Sequence, residues 1–489
     1  MCGILIVKSK YPIPKIIHDQ SVKILKRRGP DFTIEKHIND CTFIAQSVLH
    51  ITGEIDFYRR ELPDGFAFNG EIYNYRDFGN WRSDVDLVYD TVKSNLNLFK
   101  DFEGTWAWGL ANNDGIFYAS DPQGEKSLYQ YQDEGLFVVC SDIAPILNYI
   151  DSRVCYRPYQ NKSWTFISNT PWQGITRCEP GMLYHNGNSQ RSIDSMWDWV
   201  SVDNNLQFNE AYEELCFRLN KVAKYISTNE PAQLSYSGGV DSSILLKLVR
   251  NLDPLAIDIN GKDSIVDSLD CEKIKVDELQ WAEEYKNLLH DSKMPVSSWS
   301  FVGSYILAKK TKHRIIFTGI GADELFGGYE VYKNLNFDYS KSVSPYSEHD
   351  HDNLWIKCLN VYNGDAKQAT LLMDYWYQIV GCDAYGQDII GGICGKETRN
   401  FFLTKSIMKF ALNLPWYLKV GDETKPLLKR LYRDLFKTDM IYPKKGFAGH
   451  ANDSLPYLGI NIHTVGDRHR DWISIAQETY YSKFKIDTK

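Results

Sequence analysis

The sequence predicts two domains, a sheet-rich α+β part followed by an α/β doubly wound domain with a mostly helical C-terminal region. Three observations carry this. The first third alternates short apolar runs with Gly, Asn and Asp turns, sustained helical periodicity begins only near residue 209, and later strands end in glycine-rich turns that open helices. At 489 residues the chain exceeds the size at which one core usually keeps growing, and 43% hydrophobic content is ample for two.

Taken in order, strands are expected at 42–45, 65–68, 106–110 and 115–119. A composition change follows Glu179-Pro180-Gly181 and the polar stretch 185–195. It places a boundary near residue 192 and divides the chain into 1–192 and 193–489. A helix is expected at 209–224, then a strand at 233–236, a glycine turn, a helix at 242–250 and a strand at 255–259. Another strand, 314–317, runs into a second glycine-rich turn. Residues 342–352 read as a polar loop and 354–440 as mostly helical.

Charge and cysteine usage narrow the partners. A net charge of -8 argues against a broad nucleic-acid or membrane footprint and favours a small-molecule substrate. Ten cysteines are scattered without a C-x-x-C pair, which fits reduced thiols and a soluble cytoplasmic protein better than a disulfide framework or zinc ribbon. No apolar run could span a bilayer.

Two segments carry chemistry. Removing Met1 from Met1-Cys2-Gly3-Ile4 would leave a thiol and an α-amino group on one residue, nucleophile and base together, because an α-amine titrates near 7.7–8.0. A cysteine at position 2 is by itself mostly chance, so it counts only if a site is built around it. Further on, Ser237-Gly238-Gly239-Val240-Asp241-Ser242-Ser243 follows a strand and opens a helix, where backbone N–H groups and the helix dipole favour phosphate. Asp241 cannot help phosphates by charge, so its sensible role is to hold Mg2+. No Gly-Lys-Ser/Thr follows at Walker A spacing.

This segment resembles the PP-loop ATP-pyrophosphatases, and Thr318-Gly319-Ile320-Gly321-Ala322-Asp323-Glu324-Leu325-Phe326-Gly327-Gly328-Tyr329 resembles the matching segment of asparagine synthetases. The resemblance implies ATP and Mg2+ as cofactors. It makes Asp323 the second metal-holding carboxylate beside Asp241, and places Tyr236, Ser237, Gly238, Gly239, Ser242, Ile259, Thr318 and Gly319 around the nucleotide. Pro443-Lys444-Lys445-Gly446-Phe447, after a basic helix with Lys425, Lys429 and Arg430, implies that Lys444, or else Lys445, stabilises the adenylate and leaving pyrophosphate.

The N-terminal third is similar to the family's glutamine amidotransferase domain, an Ntn-hydrolase-type sandwich that begins with a catalytic cysteine. Arg28-Gly29-Pro30-Asp31, Phe68-Asn69-Gly70-Glu71-Ile72-Tyr73-Asn74-Tyr75, Ser83-Asp84 and the segment 121–129 occur in family order. By that resemblance Asn69 and the Gly70 N–H form an oxyanion hole, and Glu71 and Asp84 recognise glutamine's α-amino group. Asn-Gly alone is also a favoured turn, but a turn does not explain four segments together with Cys2.

Two departures stand out. Val48 occupies the position of the family's arginine for the glutamine carboxylate, leaving Arg59, Arg60 or His50 as substitutes. Ile320 replaces an acidic residue implicated in handling ammonia's proton, and Arg399-Asn400-Phe401-Phe402-Leu403-Thr404 replaces an Arg-Val-Pro-Phe-Leu-Asp segment. Glu397 is either a base at the acceptor site, as in β-lactam synthetase relatives, or a structural partner of Arg399. The resemblance implies a glutamine-hydrolysing, ATP-dependent amide ligase with aspartate as default acceptor, and by analogy a homodimer. The alternatives are another carboxylate, another amine, or a weak nucleotide-binding regulator.

Overall fold

The computed structural model describes residues 2–51, 62–150, 170, 172–261, 264–294, 300–334 and 348–441. Two antiparallel sheets come first. One has six strands in the order Phe32–Asn39, Thr42–Val48, Gly3–Ser9, Leu136–Cys140, Tyr129–Gln132, Ile175–Arg177. The other has five, in the order Asn188–Ser192, Met182–His185, Gly115–Ser120, Gly104–Asn112, Phe66–Ile72.

Alternation along the strands explains how they layer. Ile4 and Ile6 turn inward and share a core with Ala67, Ala107, Tyr118 and Val139 of both sheets, whereas Leu5 and Val7 turn outward onto Val22 and Leu25 of the Lys15–Leu25 helix. The outer face of the second sheet packs Phe66, Phe68, Trp106 and Trp108 against the Asp84–Ser94 helix, which Ser83 caps by accepting from the Asp86 N–H at 3.3 Å. The result is a helix–sheet–sheet–helix sandwich.

A five-stranded parallel sheet follows, in the order Glu272–Val276, Leu252–Ile259, Ala232–Ser235, Ile315–Thr318, Glu397–Asn400. Helices cover both faces, as a parallel sheet requires. Phe208–Ile226 buries Leu215, Leu219 and Val222 on one side, and Glu278–Ser292 buries Trp281 and Leu288 on the other. One expectation is refined and one changes. The region 354–440 contains the helices Ala366–Asp374, Ala384–Cys394, Lys405–Asn413 and Pro426–Phe436, but also the Glu397–Asn400 strand, too short to show a period and completed only by pairing with Ile315–Thr318. The polar stretch 342–352 is helical from Glu348 in Glu348–Val361, and 342–347 lie outside the described residues. Among the described residues no helix is long and apolar enough to cross a membrane.

One buried carboxyl makes stability depend on pH. The Tyr332 hydroxyl donates to Asp374 Oδ2 at 2.8 Å, while Oδ1 is buried without a partner among the described residues. Burial pushes Asp374 up to about 7. An unfolded aspartate titrates near ~3.9, so this contribution is intact below that pH and is lost as pH rises through 7. The stability of Asp374→Asn relative to wild type should therefore become more favourable between pH 5 and pH 8, by on the order of 2 kcal/mol. Denaturation midpoints at the two pH values measure it, and a pH-independent difference would contradict it.

Candidate active site

Cys2 opens the central strand of the first sheet and is 7% exposed. Its backbone N–H donates to Asn69 Oδ1 at 2.8 Å, and its carbonyl accepts from Arg28 Nε at 3.0 Å. Asn69 Nδ2 is buried with no partner among the described residues, a donor held ready for an oxyanion. Gly70 follows in the same strand with φ +148°, and a Cβ there would lie 2.1 Å from the Thr105 carbonyl oxygen, so only glycine fits. Burial pushes the Cys2 thiol up, so near neutral pH it needs a nearby base to become a nucleophile.

A cavity of ≈ 20 Å³ beside Cys2 is lined by Gln46, Val48, Leu49, Phe68, Glu71, Asp84 and Glu397, among others. That space suits one water, so a larger ligand must shift the lining. Asp84 accepts from the Ile72 N–H at 3.0 Å, and burial pushes it up to about 7. Val48 lines the cavity with an apolar side chain; His50 does not line it, and its N–H is held by Asp31 at 2.7 Å. Arg59 and Arg60 lie outside the described residues.

Glu397, read from sequence as either an acceptor-site base or a structural partner of Arg399, is paired with Arg399 here. The two residues alternate onto one face of the edge strand, and Glu397 lines the cavity beside Cys2. Arg399, 1% exposed, pairs with Glu71, donates from Nε to Glu397 Oε1 at 2.8 Å, and donates to the Ile226 carbonyl at 2.5 Å. Glu71 and Glu397 also share a hydrogen bond. Burial raises Glu71, with Arg399 opposing; burial also acts to raise Glu397, but the N-terminal ammonium, Arg399 and Lys126 outweigh it and hold that carboxyl low. Two buried carboxyls thus face one guanidinium. Glu71 therefore lines this cavity and already has Arg399 as a partner.

The nucleotide segments meet at the C-terminal ends of the parallel strands. Gly238 sits at φ +73°, the Ser237 and Ser242 hydroxyls are 3.2 Å apart, and the Val240–Leu248 helix begins after Gly239. Ile259 ends its strand and Tyr236 directly follows the neighbouring one, with the Tyr236 hydroxyl 3.5 Å from Ser243 Oγ. A Cβ on Gly319 would come within 3.1 Å of Asp241 Cβ, so the two segments abut. The Thr318 hydroxyl donates to Asn400 Oδ1 at 2.6 Å, and Asn400 Nδ2 donates to Glu125 at 2.7 Å, which ties this end of the parallel sheet to the N-terminal antiparallel part of the chain.

Asp241 and Asp323 converge on Lys425 Nζ, at 2.7 and 2.6 Å. Two carboxylates aimed at one point are hard oxygen donors suited to Mg2+, and Lys425 supplies positive charge at that point. Sequence reasoning placed Lys425 in a basic helix without seeing this contact, because the residue lies 184 positions from Asp241 and far from Asp323 as well. Lys444 and Lys445 lie outside the described residues. Sequence reasoning also missed Asp388 of the Ala384–Cys394 helix, which pairs with both the buried Arg28 and Lys126.

Comparisons with known proteins match two stretches of the chain. The asparagine synthase family matches residues 220–460, and the glutamine amidotransferase domain family matches 63–148. Amidase chyE of Penicillium rubens is 23% identical over 383 residues, covering 67% of this chain and 56% of its own. Amidase chry2 of Gibberella zeae is 22% identical over 375 residues, covering 64% and 55%. Glutamine-hydrolysing asparagine synthetase 1 of Bacillus subtilis is 24% identical over 395 residues, covering 68% and 60%. The matches thus span little more than half the length of these curated relatives.

Proposed function

The chain belongs to the glutamine-hydrolysing asparagine synthetase family, and from that premise we propose that it is an ATP-dependent amide ligase fed by glutamine. The observation that carries this is Cys2 held by Asn69 Oδ1 with Asn69 Nδ2 left as a free buried donor. With Met1 removed, the α-amine takes the thiol proton, Sγ attacks the glutamine amide carbon, and the Asn69 amide and Gly70 N–H hold the oxyanion. Asp84 and Glu71 face the substrate's ammonium, which would draw both toward the ionised form. A thioester forms as ammonia leaves, and water then releases glutamate.

In the second domain the backbone between Ser237 and Ser242 receives the ATP phosphates. Asp241 and Asp323 would hold Mg2+, which supplies charge neutralisation at the phosphates when bound. Lys425 then shifts from the carboxylates toward the phosphates, and Lys444 steadies the acyl-adenylate. The Glu397–Asn400 strand is the wall between the two sites, with Arg399 toward glutamine and Asn400 tied to Thr318. Ammonia released at Cys2 passes this wall to the activated carboxylate, giving an amide, AMP and pyrophosphate.

Aspartate is the family's acceptor, but a different carboxylate is favoured here. Ile320 cannot move a proton, Asn400 and Thr404 stand in an altered segment, and chyE and chry2 are named amidases. Carboxylate-dependent ATP–pyrophosphate exchange over a panel of acids, run beside glutamate release, tests this. Exchange with a non-aspartate acid is expected. Exchange with aspartate alone would restore the default, and no exchange together with no Cys2-dependent glutamate would leave a nucleotide-binding regulator.

A further inference from the structure

We propose that the Ala384–Cys394 helix of the second domain positions the Cys2 nucleophile, acting through Asp388 and Arg28. The proposal rests on Cys2 being the glutamine-cleaving residue. Cys2 is held at both ends of its backbone: Asn69 takes the N–H, and Arg28 Nε donates to the carbonyl at 3.0 Å. The first hold comes from a strand of the same domain. The second does not stand alone, because Arg28 leaves the Lys15–Leu25 helix on a tight turn and its guanidinium is seated by the other domain.

That seat is specific. Arg28 is fully buried and donates from Nη2 to Asp388 Oδ2 at 2.6 Å, while Lys126 Nζ lies 3.3 Å from Asp388 Oδ1. One carboxylate thus stands between two buried cations, where a charge-assisted hydrogen bond is strong and its loss severe. One helical turn on, Gly392 makes the space: a Cβ there would lie 2.6 Å from Arg28 Nη1. Gly29 wedges the same turn against the pocket strand, since a Cβ on it would lie 2.3 Å from the Val48 nitrogen. The guanidinium therefore has little freedom, and neither does the carbonyl it holds. Displacing that carbonyl moves Sγ relative to Asn69 Nδ2, and a shift near ~1 Å in such a constellation costs up to about 10²-fold in rate.

Asp388→Asn keeps the shape and removes the charge, while Gly392→Ala pushes on the guanidinium by volume alone. Both are made in the full chain and read in two ways: the kcat and KM of glutamate release, and the rate of Cys2 alkylation by iodoacetamide relative to exposed Cys41. We expect kcat to fall about ten-fold or more with glutamine KM within about three-fold, and the Cys2-to-Cys41 alkylation ratio to change about five-fold or more. An ion pair that only supports the fold would lower the melting midpoint and leave kcat and the alkylation ratio of the folded protein at wild-type values, which would overturn the proposal. If Asp388→Asn does not fold, Gly392→Ala decides alone. Should wild type release no Cys2-dependent glutamate, the ligase reading falls, and the alkylation ratio still decides whether Asp388 positions Cys2.

Discussion

Replacing Cys2 with alanine is expected to lower glutamate release from glutamine by at least about 10³-fold, with wild-type ATP–pyrophosphate exchange retained. The size follows from the thiol's setting. Burial pushes its pKa up, so the reaction depends on a base close to Sγ, and the described lining residues Glu71, Asp84 and Glu397 are carboxyls committed to other partners. Removing the sulfur leaves only binding and the oxyanion donor, whose own deletion in Asn69→Ala should cost about 10²–10³ in kcat. Steady-state glutamate assays check both. Release that persists in Cys2→Ala would place the chemistry elsewhere.

Arg399→Met is expected to destabilise the protein by about 3–5 kcal/mol near neutral pH, the cost of stranding buried charges. Arg399 serves Glu71, Glu397 and the Ile226 carbonyl at once, and its guanidinium lies 5.2 Å from the Tyr73 ring centroid. Lysine should not rescue it, because three acceptors in different directions need a planar fork. The deficit should shrink as pH falls. Without the guanidinium both carboxyls titrate well above their unfolded values near ~4, so each is harmless when protonated and costly once ionised. Denaturation midpoints at pH 5 and pH 8 test this; a deficit that is equal at both would mean that the carboxyls find other partners.

How much of this was legible depended on how local the signal was. Asn69, Gly70, Glu71 and Asp84 were readable because one strand and the start of one helix present them in a fixed order, and Ser237 to Ser242 because strand, turn and helix are neighbours in the chain. The same directness exposed Val48 and Ile320 as departures. Glu397 and Arg399 were readable as residues but not as places: four residues make no period, and only pairing with Ile315–Thr318 brings Glu397 to the cavity beside Cys2 and Arg399 to Glu71.

The sequence by itself picked out the residues of the two candidate sites, Cys2 with Asn69 and Gly70 and the Ser237–Ser242 turn with Asp241, because each rests on short segments whose backbone geometry is locally dictated. Only the tertiary structure decided who meets whom. Arg28 finds Asp388 across 360 positions, Arg399 finds Glu71 across 328, and Lys425 finds Asp241 across 184. Burial then turns those meetings into energy, since a charge removed from water must be paired where the fold places it, and nothing in the order of residues along the chain states which charge that will be.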